Sequence, residues 1–137
     1  MLETKDCIFC KIVRGGIPCY KIYETKNVLA FLDINPYVRG HVLVIPKGHS
    51  DWVWDIESTM YSKLMKEVLS LANVLRKVFD TNWVEEIIAG VGVQHSHVHL
   101  LPRVKNDGIG EIPTKPLVPK PSDSEMKEIC ERIKKAV

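Results

Sequence analysis

The sequence has no apolar run approaching the roughly 20 residues that a membrane-spanning helix needs. Its first ten residues, MLETKDCIFC, also lack the basic and then apolar pattern of a secretory signal peptide. The formal net charge is only +2, from 19 basic and 17 acidic residues spread along the chain. Such a small charge gives no field that recruits nucleic acid, although a local site for a small anion needs none. We therefore expect a cytoplasmic protein that binds neither membranes nor nucleic acid.

Cysteine is also scarce, with four residues in the chain of 137. In a sequence without an export signal, these cysteines are expected as thiols or metal ligands rather than as a disulfide framework. No internal repeat and no composition break divides the chain, and its length is enough for one domain with a real core.

The most informative stretch runs from Gly90 to Arg103, read GVGVQHSHVHLLPR. His95, His97 and His99 alternate within it, and alternation is the side-chain period of a β-strand. We therefore predict a strand that presents three imidazoles on one side, roughly 7 Å apart, along one small-molecule pocket. A single histidine in such a run would be an ordinary core residue. Three are hard to explain by packing, because burying titratable rings together is costly.

The rest of the chain predicts four further strands and two helices. The strands are expected at Tyr20–Tyr23, Val28–Leu32, Gly40–Lys47 and Trp83–Ala89. An apolar stripe at steps of three and four predicts a long helix over Ser58–Phe79, with Ser58 as its N-cap. A capping-box pattern at Ser122 opens a short last helix, and the proline-spaced residues before it are expected to be extended.

Cys7 and Cys10 form a C-x-x-C pair close enough to hold one metal ion or to form a redox couple. A redox pair is typically found at the start of a helix after a strand, and this pair lies near the amino terminus, which favours metal. Together with His49 and His95 it would complete a Cys2His2 zinc site. His97 and His99 would then stay free for chemistry.

The row of histidines suits phosphorus chemistry. His97 is flanked on both sides and is the natural nucleophile, with His99 and His41 placed to contact phosphate oxygens or the leaving group. Gly90 and Gly92 lack side chains, so their backbone N–H groups can approach an anion closely. The same two glycines are equally consistent with a β-bulge, and the two interpretations do not exclude each other.

Asp33 ends a predicted strand just before a turn. Its carboxylate either caps that turn or accepts hydrogen bonds from the two hydroxyls of a ribose, and the sequence leaves both interpretations open.

The run from His95 to Leu101 resembles the H-φ-H-φ-H-φ-φ signature of the histidine-triad (HIT) family of nucleotide hydrolases and transferases, where φ is apolar. The similarity extends in order from about Cys7 to Arg103. The other matching blocks are Cys7–Ile12, Gly16–Pro18, Ile22–Glu24, Val28–Ile34, Gly40–Lys47, His49 and Pro102–Arg103.

This resemblance implies an α+β fold with a five-stranded antiparallel sheet, one long helix and a short C-terminal helix. It also implies a homodimer in which the sheet continues from one chain into the other. The single HIT domain would span residues 1–137, with a core at about 7–105 and an extended tail and short helix at 106–137.

The implied activity is hydrolysis of a purine nucleotide conjugate, a nucleoside phosphoramidate or a dinucleoside polyphosphate, at its α-phosphate. His97 would form a covalent nucleotidyl-histidine, with His99 and His41 at the phosphate and Asp33 and Ile34 at the ribose and base. Structural zinc on Cys7, Cys10, His49 and His95 is implied for bacterial-type members, and no organic cofactor is.

The sequence departs from the family pattern beside the triad. Val91 and Gly92 stand where family members commonly have glutamine and a hydroxyl residue, and Ser96 replaces a usual apolar residue. The amide and hydroxyl contacts that those family residues make to phosphate are therefore missing here or supplied by other groups. Two alternatives follow: a non-catalytic nucleotide-binding or signalling module, and a zinc-stabilised interaction protein.

Overall fold

The computed structural model describes residues 4–137, so the first three residues of the expected single domain lie outside the described part. Within that range the chain forms five strands, three α-helices and one 3-10 turn. In chain order they are α1 (Ile8–Val13), β1 (Lys21–Glu24), β2 (Val28–Leu32), β3 (Val42–Pro46), the 3-10 turn (Val53–Asp55), α2 (Ser58–Val78), β4 (Val84–Ile87), β5 (Val98–Pro102) and α3 (Asp123–Ala136).

The five strands form one sheet in the order β1-β2-β3-β5-β4, and every neighbouring pair is antiparallel. The α+β class, the five-stranded antiparallel sheet and the long helix are therefore confirmed. β1 and β2 form an antiparallel hairpin, in which the Thr25 N–H donates to the Val28 carbonyl at 2.8 Å. Among the described residues, β4 pairs with β5 alone and lies at one edge of the sheet.

Both faces of the central strands are covered, which explains why β2 is apolar at every position. Val28, Ala30 and Leu32 pack into the main core, to which α2 and α3 contribute. Leu29 and Phe31 alternate with them and pack on the opposite face, where Phe9 of α1 lies. This second face carries the site described below.

The long helix α2 buries the predicted apolar stripe, with Leu64, Val68, Leu71 and Leu75 all in the core. The prediction of Ser58 as N-cap is wrong, because Ser58 is the first helical residue and Glu57 precedes the helix without a capping bond. The capping box at the start of α3 is present, formed by Ser122 and Glu125.

The predicted triad strand is longer than the observed one. β5 begins only at Val98, so His95 and His97 lie in an irregular segment that precedes the strand. The cause is a contact from far along the chain: the Ser96 N–H donates to the Ser50 carbonyl at 2.8 Å, and pairing of β5 with β3 starts at Val98.

The sequence pattern also did not predict α1, a helix of six residues. Cys7 is its N-cap, and the Sγ atom of Cys7 accepts the Cys10 N–H at 3.2 Å. Across residues 4–137, no helix is both long and apolar enough to cross a bilayer.

Candidate active site and metal-ligand cluster

The structure brings three of the five histidine rings, those of His97, His99 and His41, into one continuous row, although only His99 lies on a strand. The ring centroids of His97 and His99 are 4.9 Å apart, and those of His99 and His41 are 5.1 Å apart. The His95 ring lies outside this row and turns toward the C-x-x-C pair. The site therefore divides as expected from the sequence, with a cysteine end and an open end.

His97 has one ring nitrogen fixed by the backbone. Its Nδ1 lies 2.7 Å from the carbonyl oxygen of His95, and because a carbonyl can only accept, Nδ1 carries the proton. The other nitrogen, Nε2, then holds a free lone pair when the ring is neutral. His97 is only 5% exposed, and the exposed part lines a cavity.

A chain of hydrogen bonds fixes the protons of His41 and His99 in the same way. The Tyr37 N–H donates to His41 Nδ1 at 3.0 Å, so the proton of the neutral His41 ring is on Nε2. His41 Nε2 lies 2.9 Å from His99 Nδ1 and donates to it. The proton of His99 is therefore on Nε2, the nitrogen left free to donate to a ligand.

Burial keeps both of these rings uncharged near neutral pH. Desolvation, with a smaller contribution from the neighbouring rings, lowers the pKa of His41 from 6.5 to about 3. Burial and the neighbouring His97 lower the pKa of His99 to about 4. His99 is thus a neutral hydrogen-bond donor rather than a fixed positive charge.

Asp33 caps the turn, which is one of the two roles that the sequence left open, and its contact with a ribose stays a prediction. Its Oδ1 accepts the Asn35 N–H at 2.8 Å and caps the turn, while Oδ2 lies 3.6 Å from His41 Nε2. Burial raises the pKa of the Asp33 carboxyl. The carboxylate lines the same cavity as His97 and His99, and so does Ile34, whose side chain is 53% exposed.

The cavity has a volume of about 490 Å³ and a largely apolar wall. Its apolar side chains come from α1, from the face of the sheet opposite α2 and from the segment before β5, and they include Phe9, Ile12, Phe31, Leu43 and Val93. We call this space the histidine cavity. Its polar groups are few: the Asp33 carboxylate, the imidazoles of His97 and His99, the side chains of Asn35, Tyr37 and Cys19, and exposed backbone.

Gly90 and Gly92 both line the histidine cavity but differ in their surroundings. Gly90 has φ +82°, and a Cβ there would lie 3.0 Å from the ring of Trp52. A Cβ at Gly92 would meet nothing within 4 Å. Neither glycine belongs to a strand, so the alternative interpretation as a β-bulge is wrong, and both backbones are accessible from the cavity.

Cys7, Cys10, His49 and His95 converge on one point, with one donor atom of each within 4.8 Å of all the others. We call this group the four-donor cluster. Cys7 Sγ lies 3.3 Å from His95 Nδ1, and Cys10 Sγ lies 3.5 Å from the Nδ1 atoms of both His95 and His49. Sulfur and nitrogen ligands on one tetrahedral zinc ion are about 3.6 Å apart, so the donors fit.

Hydrogen bonds outside the cluster direct the correct nitrogen inward. His95 Nε2 lies 2.8 Å from the Pro46 carbonyl, and His49 Nε2 lies 2.8 Å from Asp51 Oδ1. Both partners are acceptors, so both Nε2 atoms carry protons and both Nδ1 lone pairs face the sulfurs. Metal-binding histidines typically donate a hydrogen bond from the ring nitrogen that does not face the metal.

Asp33, His41 and His99 also lie within metal-binding distance of one another. The position of the proton on the His41 ring argues against a second metal site here. Because the Tyr37 N–H occupies the lone pair of His41 Nδ1, the Nε2 atom facing Asp33 and His99 carries a proton and cannot be a ligand.

Sequence reasoning missed Phe9 and Arg103. Phe9 lies between the two cysteines, and its position within the C-x-x-C pair was the available signal. Arg103 is 1% exposed and bonds to both carboxylate oxygens of Asp107, to Glu85 and to two loop carbonyls, with its guanidinium 4.4 Å from the Trp83 ring. It ties residues 107–111 to β4 and β5 but does not line the cavity.

The antiparallel fold, the histidine row and the four-donor cluster together define a protein of the histidine-triad type. The model of the HIT domain matches residues 14–106, and the chain belongs to the HIT domain family. The family resemblance seen in the sequence is thereby confirmed.

Two relatives and one solved structure illustrate the similarity. An uncharacterised HIT-like protein of Borreliella burgdorferi is 43% identical over 112 residues, covering 77% of this chain and 81% of the relative. Adenosine 5'-monophosphoramidase hnt1 of Schizosaccharomyces pombe is 35% identical over 133 residues, covering 94% and 99%. A Zn-bound histidine triad family protein of Mycobacterium smegmatis has a TM-score of 0.80 and 28% identity, covering 96% and 92%.

Proposed function

We propose that this chain hydrolyses purine nucleotide conjugates at the α-phosphate through a covalent nucleotidyl-histidine on His97. The observation that carries the proposal is the hydrogen bond from His97 Nδ1 to the His95 carbonyl at 2.7 Å. It leaves the Nε2 lone pair available to a phosphorus atom in the histidine cavity. Relatives named as adenosine 5'-monophosphoramidases support a nucleotide substrate of the AMP type.

The reaction has two steps. In the first, His97 Nε2 forms a bond to phosphorus while the bond to the leaving group breaks, and the leaving group departs with the electron pair and takes up a proton from water. In the second, water attacks phosphorus and gives up a proton to solvent, the bond to His97 breaks with its electron pair returning to Nε2, and the nucleotide is released. His99 donates from Nε2 to the phosphate region and stabilises developing negative charge, and His41 keeps the His99 proton in that position.

The nucleotide would lie along the histidine cavity. The Asp33 carboxylate suits the two ribose hydroxyls, and the apolar wall with Ile34 suits a flat base. The backbones of Gly90 and Gly92 lie near His97 on the phosphate side.

We also propose that the four-donor cluster holds structural zinc, which supplies a cross-link between α1, the loop after β3 and the segment before β5. The geometry of the donors and the Zn-bound relative support this assignment. No organic cofactor enters the proposed reaction.

The homodimer stays a prediction, supported by the family resemblance and by the position of β4 at the sheet edge. Ile88, directly after β4, and Trp54 are exposed apolar residues that a partner chain would cover. The cytoplasmic location, the absence of nucleic-acid partners and the division into a core and a tail also stay predictions.

Incubation with adenosine phosphoramidate tests the proposed function. We expect the parent chain to release AMP, and His97→Gln to lose that activity by at least about 10³-fold while still binding AMP. Binding of AMP by the parent chain without turnover would instead support the non-catalytic module. Zinc at more than one equivalent per chain, lost when any triad histidine is replaced, would support the zinc-stabilised interaction protein.

A further inference from the structure

Helix α1 contributes to two sites at once. Cys7, its N-cap, and Cys10 supply two of the donors in the four-donor cluster. Ile8, Phe9 and Ile12 of the same helix line the histidine cavity. A change in the position of α1 therefore changes the metal ligands and the cavity wall together.

Phe9 is the side chain that touches both sites. Its ring packs edge-on against the metal-ligand candidate His95, with centroids 5.8 Å apart, and against the candidate nucleophile His97, with centroids 5.3 Å apart. It also contacts Phe31 in β2 at 5.6 Å. Phe9 is buried, so its ring cannot move without disturbing these three neighbours.

The helix cannot hold this position by its own hydrogen bonds. It has six residues, and an isolated helix of fewer than about 12 residues is marginal in water. Its apolar anchors on the sheet are few, chiefly Phe9 and the partly buried Ile12 and Val13. A second attachment is the approach of Cys7 and Cys10 to His49 and His95, which a bound zinc ion would make rigid.

We propose that zinc at the four-donor cluster and a nucleotide in the histidine cavity bind cooperatively, with α1 and Phe9 as the shared structural element. This inference rests on the proposed function and adds its regulation, because nucleotide affinity then depends on whether the zinc site is filled. Coupling between two sites is reciprocal, so the nucleotide must strengthen zinc binding by the same factor.

The primary test uses AMP and the zinc-loaded chain. Transfer of zinc to a chromogenic chelator is followed with and without saturating AMP, and the Kd of AMP is measured by titration calorimetry before and after zinc removal. We expect AMP to tighten zinc binding about tenfold and zinc removal to weaken AMP binding by the same factor. The chelator assay starts from the loaded chain and does not require the zinc-free form to stay folded.

Two variants distinguish loss of the Phe9 contacts to both sites from loss of a side chain that only lines the histidine cavity. Phe9→Leu keeps all four donors but loses the edge contacts to both imidazoles, so the effect of AMP on zinc release should fall below twofold. Ile34→Ala is the matched control, since Ile34 lines the cavity from the loop after β2 and not from α1. It should weaken AMP binding while leaving the zinc coupling factor, measured at saturating AMP, unchanged.

The outcomes are distinguishable. If the zinc-loaded chain does not bind AMP, the proposed function fails. If AMP binds but leaves zinc release unchanged, or if the chain binds no zinc, the cooperative inference is overturned while the proposed nucleotide site stands. Equal coupling in Phe9→Leu and the parent chain would overturn the role of Phe9.

Discussion

At the scale of single residues, the position of each proton decides what the histidine row can do. His97 is a candidate nucleophile because its Nδ1–H donates to the His95 carbonyl and leaves the Nε2 lone pair free, and His99 is a donor because the Tyr37 N–H fixes the proton of His41 on Nε2. The two neighbouring rings thus have opposite hydrogen-bonding roles although their side chains are chemically identical. Backbone groups, which no residue pattern reveals, set this difference.

The two glycines near His97 lead to a first prediction. Gly92→Ser restores a hydroxyl that HIT proteins commonly carry at this position, and the structure has open space for it. We expect kcat/KM for adenosine phosphoramidate to rise roughly tenfold, because a hydroxyl bonded to a charged phosphate contributes about 1.5 kcal/mol. Gly90→Ala is the control: with φ +82° and the Trp52 ring 3.0 Å from its Cβ, it should lower activity. A decrease in both variants would contradict this account.

The low pKa of His41 leads to a prediction about stability. The unfolded chain takes up a proton at His41 as the pH falls below 6.5, whereas the folded chain does so only near pH 3. The free energy of unfolding should therefore decrease on acidification, by about 1 kcal/mol per pH unit from this residue between pH 6 and pH 4. Urea unfolding of His41→Gln, which does not titrate, should show a shallower pH dependence. Parallel profiles for the two chains would contradict the prediction.

The residues of the candidate site could be named from the sequence because their spacing is local or their family pattern is regular. The open end of the site combines the Asp33 carboxylate with the rings of His41, His97 and His99. In the four-donor cluster, His95 lies 88 residues after Cys7 and 85 residues after Cys10. Their hydrogen-bond roles could not be named. Phe9 was missed for the same reason, since its contacts to His95 and His97 exist only in the folded chain.

At the scale of secondary-structure elements, the long helix was predictable and the short elements were not. The stripe of α2 repeats over 21 residues, so local periodicity determines its face. Six-residue α1 has no such repeat, and its position depends on the sheet and the cysteines. β5 begins later than the histidine alternation indicates, because Ser96 bonds to Ser50 in a loop 46 residues away.

The Ser50 and Ser96 pair leads to an element-scale prediction. Their buried hydroxyls are 2.8 Å apart and join the loop carrying His49 to the segment before β5. Ser96→Val leaves the Ser50 hydroxyl buried without its partner and should cost about 1 to 3 kcal/mol in the free energy of unfolding. Adding Ser50→Ala should recover part of that loss. If the double variant loses as much free energy of unfolding as Ser96→Val and Ser50→Ala lose in sum, the two hydroxyls do not interact.

At the scale of the whole molecule, both faces of one sheet are used for different purposes. The face under α2 and α3 is core, and the opposite face holds the histidine cavity and the four-donor cluster. The sequence predicted the fold class through the family resemblance, and the strand order followed only from the coordinates. The Arg103 network that fastens residues 107–111 was not predictable, because its partners are not in a regular pattern.

The four-donor cluster leads to a whole-molecule prediction. Removing zinc with a chelator, or replacing Cys10 with serine, should cost at least about 2 kcal/mol and lower the Tm by about 6 °C or more, because the cluster joins three separate segments. Cys19→Ser is the matched control, since Cys19 is a half-buried thiol outside the cluster. Its Tm should change by no more than about 2 °C. Equal shifts for Cys10→Ser and Cys19→Ser in differential scanning calorimetry would contradict a structural metal site.

The central claim is that His97 itself becomes bonded to phosphorus. The most direct measurement is rapid acid-free quenching of the chain during turnover of adenosine phosphoramidate, followed by digestion and mass spectrometry of the peptides. We predict a single adenylyl group on the peptide that contains His97, attached to that imidazole and absent from His97→Gln. An adduct on His41 or His99, or full turnover by His97→Gln, would contradict the account.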